Sequence, residues 1–143
     1  MKGPIQSVEV TYLVHATEDP EKVRRVVSTL LRSSAEPEME QLEGHFGNKI
    51  VRARLHLTGD EASSAVRNVL KSIPSGLKAE IISDLTSFID EHSALFLRLD
   101  KQRLVAGSTA LGSGDAVRLK VKPRLFLVMG SAPKFYEQLI EGS

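Results

Sequence analysis

From Val8 to Ala16 the chain reads as a strand, setting Val8, Val10, Tyr12 and Val14 against Glu9, Thr11 and His15 in alternation. A two-residue period with one apolar side is the mark of a strand buried on a single face. Such a strand needs a covering layer on its apolar side, and its other side stays open to water or to a partner. The same alternation returns at Ile50 to Leu57, at Leu95 to Leu99 and from Val117 onward. Met39 to Glu43 pairs with Ile50 to Leu57 as a hairpin, closed by Gly44-His45-Phe46-Gly47-Asn48.

Between these segments the period changes to that of a helix. Val23, Val26, Val27, Leu30 and Leu31 form one apolar stripe, entered through Asp19 as cap and Pro20 at the first helical position. Ala62, Ala65, Val66, Val69, Leu70 and Ile73 form a second stripe behind the capping-box pattern Thr58-x-x-Glu61. A third helix carries Leu77, Ile81, Leu85 and Phe88 or Ile89, Lys101 to Val105 form a short helical turn, and Pro133 to Ile140 a closing helix. The last strand is expected to run from Val117 to Met129, with Pro123 marking an edge or a bulge because it cannot donate to a ladder. Each helix has one apolar stripe and each strand one apolar face. The pattern predicts an α+β fold with helices packed on one face of a mostly antiparallel sheet.

At 143 residues the chain suits a single domain, 1–143. It has no cysteine, which excludes disulfides, thiolate chemistry and cysteine-based zinc sites and fits a reducing, cytoplasmic setting. The opening Met1-Lys2-Gly3-Pro4 runs into the first strand without an apolar signal core. The longest apolar run, Leu125 to Met129, falls far below the roughly 20 residues that span a bilayer. Net charge is only +1, so affinity for a polyanion must come from where the charges sit.

The sharpest local pattern is Arg118, Lys120, Lys122 and Arg124. Spacing by two puts all four on one face of a strand, over about 20 Å at ~3.3 Å per residue. Mutual repulsion along such a row is relieved by an anionic ligand, and its length suits successive phosphates of a nucleic acid. Arg98, Lys101 and Arg103 lie nearby in sequence as supporting contacts. Arg52, Arg54 and His56 form a second basic set, but the hairpin is expected to place Glu40 opposite Arg54 and Glu38 near His56, neutralising it locally.

Histidines at positions 15, 45, 56 and 92 show no metal-ligand spacing, and neither His15 nor His45 has an assignable catalytic partner. No metal or cofactor is expected, and the chain reads as non-catalytic. The stretch from Gly107 to Asp115 lacks the Lys-Ser/Thr of a phosphate loop and reads as a flexible connector with amides available to a phosphate. Five Phe, two Tyr and no Trp make a poor set of stacking platforms. With only Phe96 and Phe126 assigned to the open side, readout of backbone and shape in structured RNA is expected.

Four local sequences, His15-Ala16-Thr17-Glu18-Asp19, Glu43-Gly44-His45-Phe46-Gly47-Asn48, Leu97-Arg98-Leu99-Asp100-Lys101-Gln102 and the basic strand from Val117, come in an order and spacing that resembles an archaeal family of RNA-binding proteins and predicted exosome subunits. The resemblance covers nearly the whole chain. It implies the fold of the ribosomal protein that binds 5S RNA, RNA as partner, and an accessory role in RNA processing or degradation beside the exosome. It also makes His45 and Asn48 candidate loop contacts. A rival reading of the same pattern is a protein-interaction adaptor, or a homodimeric module of an RNA-processing complex, that uses the open sheet face or its free edge.

Overall fold

The computed structural model describes residues 3–44, 47–125 and 130–143. Among these residues five strands and five helices follow one another as β1 (Ile5–His15), α1 (Pro20–Leu31), β2 (Glu38–Glu43), β3 (Lys49–Thr58), α2 (Gly59–Ser72), α3 (Ser75–Ser83), β4 (Leu95–Asp100), α4 (Lys101–Val105), β5 (Ala116–Pro123) and α5 (Ala132–Glu141), with a 3₁₀ turn at Leu85–Phe88. The sheet order is β2-β3-β1-β5-β4 and every pairing is antiparallel. The fold is thus the α+β arrangement that the alternating periods predict.

β1 takes the centre because it can bury its inner side at every second residue: Val8, Val10, Tyr12 and Val14 are all at most 2% exposed. Leu55 and Leu57 of β3, Val117, Leu119 and Val121 of β5, and Leu95, Leu97 and Leu99 of β4 extend that apolar surface across the sheet. α2 lies on it through Ala62, Ala65, Val66 and Val69, small side chains that allow close approach, and α1 packs beside α2 through Val23, Val27, Leu30 and Leu31. Tyr136 of α5 is buried, and its hydroxyl donates to the Ser93 carbonyl at 2.6 Å, tying the last helix to the entry of β4.

The helix starts are as expected in one case and not in the other. Asp19 caps α1 by accepting from the Glu21 amide at 3.0 Å, with Pro20 next. Thr58 occupies the cap position of α2, yet its side chain makes no capping bond, and Gly59 turns the chain with φ +60. β5 ends at Pro123, short of the expected strand to Met129; residues 126 to 129, Phe126 included, lie outside the described residues. The register explains how proline is tolerated. One extra residue in β1 between Ile5 and Ser7 makes a bulge opposite it, and the β4–β5 pairing has already stopped at Leu95–Val121.

Candidate nucleic-acid interface

The sheet face away from the helices is a grid whose rows are fixed by strand register. One row reads Glu38, Arg54, Thr11, Arg118, Arg98 from β2 to β4, and the next reads His56, Glu9, Lys120, Phe96 from β3 to β4. Ser7 and Lys122 share a further row. Neighbouring strands stand about 4.8 Å apart. The basic strand and Arg98 therefore come together on one surface.

Neutralisation across this grid is uneven. On the β2–β3 side Arg52 pairs with Glu40, Arg54 faces Glu38, and Arg54 Nε lies 4.0 Å from Glu9. This register is two residues away from the expected Glu40–Arg54 pairing, but the outcome is the expected one: carboxylates accompany these arginines. On the β5–β4 side, among the described residues, Arg98, Arg118, Lys120 and Lys122 enter no ion pair within 4.0 Å. Arg98 and Arg118 are direct cross-strand partners, an arrangement that costs folding free energy. Lys120 Nζ sits 5.5 Å from the Phe96 ring centroid, and that ring is 39% exposed.

Asp90 and Glu91 line a depression beside Lys120 and Lys122, with Asp90 otherwise engaged. Its carboxylate accepts from the Ala94 and His92 amides at 2.8 and 2.9 Å. Burial alone would raise its pKa; these backbone donors, with smaller contributions from the nearby His92 and Lys120, outweigh that and hold it below the usual value. Glu91 is paired with His92 at 3.4 Å. On the other side of Arg118 a second depression of about 540 Å³ is lined by Thr11, Leu13, Arg52, Arg54 and Arg118 with His15 and Asp115, so three guanidinium groups and one carboxylate border one hollow.

The remaining sequence candidates separate. Lys101 is 1% exposed and points inward, which removes it from the phosphate contacts. Its ammonium donates to the Leu13 carbonyl and to Glu18 Oε1, both at 2.6 Å, and lies 3.0 Å from Asp115 Oδ2. Burial pushes the Glu18 carboxyl up, but the Lys101 ammonium and the His15 amide together bring it below its ordinary value. His15, Glu18 and Asp115 could geometrically hold a cation, and the Lys101 ammonium already supplies that positive charge. Arg103 is exposed on α4, which packs with α1, outside the sheet grid. Arg124 follows the end of β5, and its Nε donates to the Gly3 carbonyl at 2.7 Å, so it leaves the row after Pro123. Asn48 is exposed in the hairpin loop, its carbonyl accepting from the Gly44 amide at 2.7 Å; His45 lies outside the described residues.

The 107–115 stretch departs from the expected flexible connector. The Asp100 amide donates to the Ala110 carbonyl at 2.8 Å, and the Gly112 amide to the Arg98 carbonyl at 2.9 Å. Residues 110–112 thus lie along the outer edge of β4, and the Gly112 amide is already used. A Cβ at Gly112 would meet the Asp100 Cα at 2.9 Å, which is why glycine stands there. Sequence reasoning set Arg54 aside as locally neutralised and did not name Thr11 as part of the face. Their outward phase was legible, but which residues flank Arg118 depends on the β1–β3 and β1–β5 registers.

An open antiparallel sheet with a half-neutralised basic face is the form of a protein that presents a surface rather than a cleft. The family model described as RNA binding matches residues 7–123, and the chain belongs to that family. It is 28% identical over 138 residues to an RNA-binding protein of Pyrococcus abyssi, with 88% of each chain covered. Its structure is similar to that of a DUF54 protein from Methanothermobacter thermautotrophicus, with TM-score 0.75, 28% identity, and 96% and 98% of the two chains covered. It is similar also to a DUF54 protein of Archaeoglobus fulgidus, with TM-score 0.76, 30% identity, and 94% and 99% covered. These relatives are archaeal. No helix among the described residues is long and apolar enough to cross a membrane.

Proposed function

We propose that this protein binds RNA, without chemistry, through the β4–β5 half of its open sheet face. The observation that carries the reading is the Arg98–Arg118 cross-strand pair, continued by Lys120 and Lys122 with no carboxylate in ion-pair range. A folded protein that sets like charges opposite each other carries a cost that phosphate relieves. Arg118 to Lys122 spans about 13 Å at ~3.3 Å per residue. Phe96 adds a ring beside Lys120 on which a base can stack. Among the described residues Phe96 is the one exposed ring on this face, and backbone and shape then dominate over base identity. The name of the Pyrococcus relative supports the same partner. An accessory role in RNA processing, in contact with exosome proteins, is the wider setting that the family resemblance suggests.

The test is RNA affinity as a function of salt. Lys120→Glu with Lys122→Glu is expected to abolish measurable binding to a labelled hairpin RNA. Arg98→Ala and Arg118→Ala should each lower the slope of log K against log salt by about 0.7 to 0.9. Unchanged affinity and slope in the lysine variant would overturn the assignment. A second reading, a protein adaptor, has one observation in its favour: β2 is an edge strand with exposed Met39 and no partner strand on its outer side among the described residues. Partners recovered after nuclease treatment would favour it.

A further inference from the structure

On the helical side of the molecule, α1, the last turn of α2 and α4 with its following residues enclose a groove of about 680 Å³. Its wall carries Lys22, Arg25, Arg32 and Lys71, and none of its lining residues is acidic. Among the described residues these four enter no ion pair within 4.0 Å. For two of them the fold itself offers a reason. Lys71 lies in the last turn of α2 and Arg32 at the C-cap of α1, where the helix dipole favours a cation.

Lys22 has no such reason, and Arg25 has only the field of the exposed Glu21 one turn before it. Lys22 stands in the first turn of α1, at the end where the dipole disfavours positive charge. Glu21, the acidic residue of that turn, is engaged by Arg24. Leu104 and Val105 of α4 give the groove an apolar side. Cations around an apolar surface suit a ligand that joins anionic groups to flat apolar ones, which is the composition of a nucleic-acid strand. α4 also begins where β4 ends, so the groove and Arg98 are connected through one short helix that exposes Arg103.

We infer that this groove is a second contact for the same RNA, reached past α4 from the open sheet face. The inference rests on the reading that the protein binds RNA. It assigns Lys22 and Arg25 to phosphates, with Arg32 and Lys71 adding to the local field.

Two labelled probes test it: a hairpin RNA of about 40 nucleotides, long enough to reach both surfaces, and an eight-nucleotide single strand that engages one, a length within the range a single binding surface covers. Lys22→Glu with Arg25→Glu should weaken the long probe at least about tenfold and lower its salt slope by about 1.5, the sum for two contacts. The short probe should change less than about twofold, and so should both probes with the charge-matched control Arg67→Glu, Lys134→Glu, whose two sites do not line the groove. All four side chains belong to exposed residues. If the groove variant binds the long probe as wild type does, or loses no more than the control, the groove is not a contact. Loss of binding in Lys120→Glu, Lys122→Glu would then leave the sheet-face reading standing. Failure of the wild-type protein to bind either probe overturns both.

Discussion

Among the described residues, Lys101 is the charged side chain that lies in the core, and its position is defensible only because every proton of its ammonium has a destination. Removing it leaves Glu18 and Asp115 facing each other over the Leu13 carbonyl. Lys101→Met should cost about 2 to 3 kcal/mol in urea unfolding, below the ~3 to 5 of a fully buried pair because both carboxylates keep some solvent. A pH effect follows from Glu18. Its folded pKa lies below the ordinary 4.5, so its contribution is complete above 4.5 and fades as pH drops through the folded value. An acid titration of stability should show this loss in the wild type and a smaller one in Lys101→Met. The sequence does not distinguish Lys101 from Arg103: both are basic, two residues apart. What separates them is the turn of α4, which aims position 101 at Glu18, a residue 83 positions earlier.

At the scale of elements, β4 and β5 hold the trade between stability and binding. Arg98→Ala should raise the stability of the free protein by a few tenths of a kcal/mol while weakening RNA, because it removes a cross-strand repulsion. A double-mutant cycle with Arg118→Ala checks this: the stability gains should be less than additive, since either change ends the same repulsion. Gly112→Ala should destabilise by about 1 to 3 kcal/mol, because the added methyl group meets backbone rather than a movable side chain. Thermal unfolding, with exchange of the Asp100 amide as a local reporter, measures it. The elements themselves were legible. Periods of two and of about 3.6 are local, so β1, the α1 stripe and the α2 stripe could be read from neighbouring residues. Register was not local. The Gly44–Asn48 loop closes on the Glu43–Lys49 pair, and that choice sets Glu38 rather than Glu40 against Arg54. The end of β5 was also hidden, since it depends on where β1 begins, at Ile5 opposite Pro123.

For the whole molecule, a net charge of +1 conceals a strong internal division. The β2–β3 half of the open face is internally paired, the β4–β5 half is not, and four further cations gather on the helical side. Steering by total charge should therefore be weak, and most of the salt dependence of binding should sit in dissociation rather than association. Stopped-flow measurements at two ionic strengths separate these rates. The basic row was visible in sequence because it occupies one strand. The groove was not, because Lys22, Arg32 and Lys71 come from separate positions that only helix packing brings together. Arg124 looked like the fourth member of the row until the bulge opposite Pro123 turned it to the Gly3 carbonyl.

The outer edge of β4 has both its ends occupied, by residues 110–112 and by the Ile89–Leu95 bridge, whereas among the described residues that of β2 has no partner strand. A sheet with a single growing side cannot polymerise by strand addition. Two copies joining through β2 would make a closed two-fold pair, with no second free margin from which a fibre could extend.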